Sequence, residues 1–221
     1  MPASTSVTSP LTTQARVAQL RTLAETDPQA AQDAVWTWIQ RLGTALPSPE
    51  AEFELTELFA GGEAADVDGQ TDGILVGWTT PAGLDRTGRI IVRIAQTAIG
   101  FVGVPWLGKK FDKSTQRGTN SLPFSAVAAT AVLAPTYRMK RTGDHWEGFD
   151  MLNRVEDSVV TPGTPVLVLD YETIGTNPWP INQIRDEAVQ IVPGTYLGAK
   201  IWHQADGYRQ VAFWAARSPL S

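Results

Sequence analysis

The pattern of apolar and polar positions is clearest in residues 165–218, where it predicts β-strands joined by tight turns. Residues 166–171 form a short apolar run, and Pro193-Gly194 predicts a turn after Ile184–Val192. Asp206-Gly207 is the strongest hairpin signal, because a two-residue turn needs positive φ angles that both residues tolerate. Ile184–Val192 also shows helical spacing, but the turn and strand that follow it favour a strand.

The last hairpin predicts the inner wall of a barrel. With Asp206-Gly207 as its turn, one face combines small and large apolar residues, which leaves room for a ligand inside a barrel of about eight strands. The opposite face carries Lys200, Arg209 and Arg217, and these cations predict that it faces outward. The predicted cavity residues of the hairpin are Leu197, Ala199, Ile201, His203, Ala212 and Trp214.

Helical spacing dominates the N-terminal part of the chain. Residues 12–25 have apolar positions on one side, and Asp27-Pro28 is an N-cap followed by proline at the first helical position. The next helix has apolar residues at i, i+3, i+4, i+7 and i+8, and Gly43 ends it. The pattern predicts a helical hairpin over residues 11–46, which packs on the barrel or on a second copy of the chain as a homodimer.

A third helical segment is predicted between the hairpin and the final strands. Asp85 is a candidate cap, and residues 86–103 are apolar nearly all round, which is typical of a buried helix. The alternation of Ile90, Val92 and Ile94 leaves a strand as an alternative. Residues 1–10 are rich in Ser, Thr and Pro and are expected to be disordered. The predicted fold is therefore mainly β: a barrel domain over residues 50–218, with the N-terminal hairpin and one buried helix near residues 85–103.

Composition narrows the function classes. The chain has 221 residues, which is one domain of ordinary size, and a net charge of −5, which argues against nonspecific nucleic-acid binding. No apolar run reaches the roughly 18 residues that span a bilayer, and no signal peptide is predicted. The absence of cysteine excludes disulfides and thiolate chemistry and fits a cytoplasmic protein. With two histidines, a multi-histidine metal site is not expected, and no cofactor is predicted.

Two segments resemble a known family. W-L-G-K-K-F-D (residues 106–112) is similar to the W-x-G-K-x-F segment of bacterial proteins named for a GXWXG motif. The downstream L-D-Y, I-R-D-E, Y-L-G and A-F-W-A-A-R segments resemble the C-terminal half of the same proteins. The resemblance implies a lipocalin-like, or calycin, barrel with an apolar interior, and it adds Trp106 to the predicted ligand-binding residues. The chain departs from the family in lacking the G-x-W-x-G motif itself, since Leu58-Phe59-Ala60-Gly61-Gly62 stands near its expected place.

Four residues are candidates for acid–base chemistry: Asp170, Tyr171, Asp186 and Lys109. A carboxylate at Asp170 that faced apolar neighbours would have a raised pKa, whereas a loop-capping Asp170 would be solvated. Asp186 belongs either to a surface ion pair or to an inward pair with a ligand group, Lys109 or Lys110, because buried charges need partners.

His203 offers a further alternative, haem ligation at the mouth of the barrel. No G-x-S-x-G, Walker, H-E-x-x-H or G-x-G-x-x-G motif occurs, so hydrolase, kinase and dehydrogenase functions have no support. The predicted function is binding of an apolar small molecule of the fatty acyl, polyketide or terpenoid type. The alternatives are a cofactor-independent cyclase or isomerase that folds such a substrate, and a partner-binding protein that uses the helical hairpin.

Overall fold

A computed structural model describes residues 12–102 and 106–220, so the disorder predicted for residues 1–10 lies outside the described residues. The described residues contain five α-helices: α1 (Thr13–Ala24), α2 (Pro28–Ala45), α3 (Pro49–Ala60), α4 (Arg86–Val102) and α5 (Phe124–Leu133). They contain the strands β1 (Glu63–Ala64), β2 (Gly69–Gln70), β3 (Asp72–Trp78), β4 (Gly108–Asp112), β5 (Arg117–Leu122), β6 (Lys140–Thr142), β7 (His145–Asp157), β8 (Pro165–Asp170), β9 (Ile184–Val192), β10 (Thr195–Gln204) and β11 (Gly207–Arg217).

The strands form a nearly closed antiparallel β-barrel of nine strands, which confirms the prediction of a mainly β fold. The order is β2-β4-β5-β7-β8-β9-β10-β11-β3, while β1 pairs with β9 and β6 with β7. The two ends of this order come together because β2 and β3 are separated by Thr71 alone. The amide of Thr71 donates to Lys109 O at 2.9 Å, and that of Gly73 donates to Leu107 O at 2.9 Å.

Three helices cover one outer wall of the barrel. The side chains of Thr12, Asp27 and Ser48 accept hydrogen bonds from the first turns of α1, α2 and α3, and the cap at Asp27 is the one that the sequence predicts. The helical hairpin is therefore confirmed, and α3 extends it to three helices. Its apolar face packs with the outer faces of β8–β11 and β3, which leaves the predicted homodimer through this face without support among the described residues.

The helical layer corrects the predicted faces of the last hairpin. The turn lies at Ala205-Asp206, with Gln204 opposite Gly207, rather than at Asp206-Gly207. Leu197, Ala199 and Ile201 belong to the core between barrel and helices instead of lining the interior. The outer face is apolar because helices, and not water, cover it. The inner face consequently carries Lys200, which was predicted to point outward.

Helix α4 is present, but its predicted burial is wrong. Asp85 accepts a hydrogen bond from Gly88 N–H at 2.6 Å and so begins the helix. Ile90 and Ile94 are 49% and 54% exposed, because α4 lies against the barrel with one face only. That inner face carries Ile91, Val92 and Ala95, which border the cavity described below.

Candidate functional site

The barrel encloses a cavity of about 310 Å³ between the inner strand faces and α4. Its walls are chiefly apolar. Helix α4 contributes Ile91, Val92 and Ala95, and the strands add aliphatic residues such as Leu75 and Val211. The aromatic residues that border the cavity are Trp78, Trp106, Phe149, Tyr171, Trp202 and Trp214. Such a cavity removes apolar surface of a ligand from water, which is the main source of affinity for apolar molecules.

A compact polar cluster borders this apolar cavity. Its members are Lys109, Asn120, Tyr171, Asp186 and Lys200. Asp186 Oδ2 lies 3.0 Å from Lys109 Nζ, and Asp186 Oδ1 lies 3.1 Å from Lys200 Nζ. Asp186 projects inward from β9, while Arg185 and Glu187 project outward and pair with each other. Of the two arrangements predicted for Asp186, the structure has the inward pair with Lys109.

Lys109 uses all of its donor capacity within the cluster. Its ammonium donates to Asp186 Oδ2 at 3.0 Å, to Asn120 Oδ1 at 3.1 Å and to the Tyr171 hydroxyl at 2.6 Å. Lysine carries three N–H donors, so none remains for a ligand. The faces of Trp106 and Trp214 lie within 5.3 and 4.8 Å of the same nitrogen, which adds cation–π attraction.

The cluster changes the ionisation of its members. Burial lowers the pKa of Lys109, and the carboxylate of Asp186 opposes that shift. Burial by itself raises the pKa of Asp186, but the ammonium groups of Lys200 and Lys109 outweigh burial and hold it below its ordinary value. Burial, followed by the charge of Asp186, raises the pKa of Tyr171 well above its ordinary value, so the phenol stays neutral.

The exposed fraction of the side chain distinguishes Lys200 from the other charged residues of the cluster. The side chains of Lys109 and Asp186 are 3% and 0% exposed, whereas that of Lys200 is 31% exposed. Tyr171 is also buried. All four residues border the cavity, but Lys200 is the charged member with the most accessible side chain.

Asp170 does not join this site. It lies on the outer face of β8, where Arg154 donates to it at 2.6 Å and the amides of Glu172 and Thr173 donate at 2.8 and 3.0 Å. Burial raises its pKa, but these hydrogen bonds and the charge of Arg154 leave it lowered, contrary to the expectation of a raised value. Asp170 therefore caps the loop after β8, which is the second of the two roles predicted for it from the sequence.

The remaining predicted ligand-binding residues divide between the cavity and its surroundings. Trp106 and Trp214 border the cavity and contact each other edge to face, with ring centroids 5.9 Å apart. His203 lies outside it, stacked on Tyr208 and 2.8 Å from a Glu172 oxygen, so it is not placed to ligate a group in the cavity. Ala212 is buried opposite Lys200 but is not among the cavity-lining residues.

Sequence reasoning missed Lys200, Asn120 and Trp202 as cavity residues. Lys200 is paired in register with Asp186 on β9, so a strand alignment that placed Asp186 inward would have placed Lys200 inward as well. Asn120 accepts hydrogen bonds from Trp106 Nε1 and Lys109 Nζ, both at 3.1 Å, and no local pattern around residue 120 predicts that role.

Residues 12–102 and 106–220 contain no group of three or more His, Asp or Glu side chains that could hold a metal ion. Within the same ranges, no helix combines the length and apolar character needed to cross a bilayer.

Comparisons with known proteins give little information. No family model matches the chain, and no curated protein matches it. A solved structure described as a protein from Thermomonospora curvata is similar over 75% of this chain and 85% of its own, with 13% identity and a TM-score of 0.37. A likeness at this level carries no argument about function, which has to come from the cavity itself.

Proposed function

We propose that the protein binds a compact apolar small molecule in the barrel cavity. The observation that carries this proposal is a cavity of about 310 Å³ whose described lining residues are apolar or aromatic apart from one cluster of charged and polar groups. Ligand sites commonly combine a predominantly apolar lining with a few polar groups that orient the ligand.

The size of the cavity narrows the ligand class. About 300–1,000 Å³ is usual for small-molecule sites, so 310 Å³ is at the small end. This favours a compact ligand, such as a small terpenoid or an aromatic polyketide, over a long acyl chain. The six described aromatic residues that border the cavity suit a ring system, because aromatic faces and edges stack on one another.

A cofactor-independent cyclase or isomerase is the second candidate. It is favoured by the shifted pKa values of Lys109, Asp186 and Tyr171 beside the cavity, since such shifts concentrate at catalytic sites. Rate would then come from holding a flexible substrate in a reactive conformation. The burial of these three groups and the hydrogen bonds that Lys109 donates to both others favour binding over acid–base catalysis.

Native mass spectrometry of the freshly purified protein, with organic extraction of bound compounds, tests the proposal. A retained apolar compound supports it. Ala95→Trp places a large ring on the cavity face of α4 and should reduce retention, and the affinity for the neutral probe naphthalen-2-ylmethanol, by about ten-fold or more. Gln96→Trp adds the same ring on the exposed side of α4 and should leave both unchanged. Equal retention and affinity in the two variants would contradict binding in this cavity.

A further inference from the structure

We infer that the ligand of this cavity carries a single carboxylate, which pairs with Lys200. This inference rests on the proposed function, because it assigns the polar end of the apolar ligand. It follows from three features of the cluster: its charge, its free donors, and its oxygen acceptors, each of which already accepts a hydrogen bond.

The cluster has an excess of one positive charge. Among the described residues, the charged side chains that border the cavity are Lys109, Lys200 and Asp186, two cations against one anion. Both ammonium groups lie within 3.1 Å of the same carboxylate, which neutralises one of them. An unbalanced charge in an apolar cavity is costly until a counter-charge joins it. A ligand with one negative charge restores the balance, whereas a diphosphate would bring more negative charge than one spare cation can neutralise.

Lys200 is the group that can meet this counter-charge. Its Nζ donates only to the two oxygens of Asp186 among the described residues, at 3.1 and 3.4 Å. At least one of its three N–H donors is therefore free. The side chain is also 31% exposed, in contrast with the saturated and buried Lys109.

Each carboxylate and amide oxygen of the cluster already accepts at least one hydrogen bond. Asp186 Oδ1 accepts from Lys200, and Oδ2 accepts from Lys109 and Lys200. Asn120 Oδ1 accepts from Trp106 Nε1 and Lys109 Nζ. The indole N–H of Trp214, by contrast, is a buried donor without an acceptor among the described residues, and its ring lies 4.8 Å from Lys109 Nζ. The polar end of the cavity thus offers donors from Lys200 and Trp214, and it suits a ligand group that accepts hydrogen bonds.

A carboxylate satisfies all three conditions, since it carries one negative charge and only acceptor atoms. Its hydrogen bond to an ammonium is also of the stronger, charge-assisted kind. The apolar body of the acid would then extend from Lys200 between the aromatic walls and the inner face of α4.

Two probes of matched shape test the inference: 2-naphthoic acid and naphthalen-2-ylmethanol, titrated calorimetrically at neutral pH. The wild-type protein should bind the acid about ten-fold or more tightly than the alcohol. Lys200→Met keeps the length of the stem and removes the charge, so it should abolish that preference while the alcohol binds as before. Lys110→Met is the matched control. It also removes an ammonium group, but that group pairs with Glu147 and does not border the cavity, so this variant should retain the preference for the acid.

The outcomes distinguish this inference from the proposed function. If the wild-type protein binds both probes equally, the carboxylate assignment fails while apolar binding stands. If it binds neither probe, both fail together. A preference that survives in Lys200→Met would overturn the role of Lys200. The wild-type comparison needs no variant, and Lys200→Gln replaces Lys200→Met if the latter does not fold.

Discussion

Lys200 and Asp186 face each other across β10 and β9, and the Lys200 ammonium reaches both carboxylate oxygens of its partner. The same carboxylate meets Lys109, which comes from β4 on another part of the barrel. One buried acidic residue therefore links two adjacent strands to a third strand that is not their neighbour in the sheet. Its removal should affect stability more than that of any exposed carboxylate.

Asp186→Asn leaves two ammonium groups without their counter-charge. Breaking a buried ion pair by removing one partner costs about 3–5 kcal/mol, so we expect a loss of that size in the free energy of unfolding. Urea denaturation followed by tryptophan fluorescence measures it. The control is Asp66→Asn, because Asp66 pairs with Lys113 in an exposed position where about 1 kcal/mol or less is expected. Equal losses in the two variants would refute a structural role for Asp186.

The acid sensitivity of the fold should depend on the same residue. The folded-state pKa of Asp186 is lowered, so the native protein binds fewer protons there than the unfolded chain. Its contribution is present above the unfolded Asp pKa of about 3.9 and is lost as the pH falls through the lower folded value. We expect unfolding free energy to decline less steeply below about pH 4 in Asp186→Asn than in the wild type. Parallel pH profiles would contradict the lowered pKa.

Leu197→Ala tests the corrected face of β10. Leu197 is fully buried in the core between barrel and helices. The substitution should lower the free energy of unfolding by about 2–5 kcal/mol and leave the probe affinity of the folded protein unchanged. Trp214→Leu, on the cavity side, should instead weaken binding of the naphthalene probes. If Leu197→Ala weakened binding at unchanged stability, the inward orientation first predicted from the sequence would be correct.

Asp170→Asn should behave as a structural substitution. Asp170 accepts from Arg154 and from two backbone amides on the outer face of the barrel. Weakening these charge-assisted bonds should cost about 1–3 kcal/mol in a denaturant titration. Ligand binding and any turnover should remain at the wild-type level. Asp157→Asn, at an exposed position of β7, is the matched control with little expected effect. If a folded Asp170→Asn protein lost ligand binding, Asp170 would have to be part of the binding site after all.

The features that sequence predicts well here are local. Asp27-Pro28 marks the start of the second helix, and α2 begins at Pro28 but continues past the predicted end at Gly43 to Ala45. Pro193-Gly194 predicts the turn that separates β9 from β10 in the structure. In both cases the signal and the element it defines lie within a few residues, so caps and turn residues suffice.

The orientation of β10 could not be predicted in the same way. This strand has helices on one side and the cavity on the other, so Leu197, Ala199 and Ile201 on one face and Tyr196 and Trp202 on the other are all apolar or aromatic. The alternation of polarity therefore does not indicate which face points into the barrel. The turn also lies one residue earlier than the sequence predicts, which is enough to change the cross-strand partners. The polar cluster depends further on residues as distant as Lys109 and Asp186, which only the closed sheet brings together.

Helix α4 borders the cavity without contributing a strand to the barrel. Ile91, Val92 and Ala95 shape the space for a ligand, yet none of them forms a ladder hydrogen bond of the sheet. Substitutions at these three positions can therefore enlarge or narrow the cavity while the barrel keeps its register. In evolutionary terms, ligand preference could diverge among descendants of this protein with little cost to folding, because the helix that shapes the cavity is separate in the chain from the strands that form the barrel.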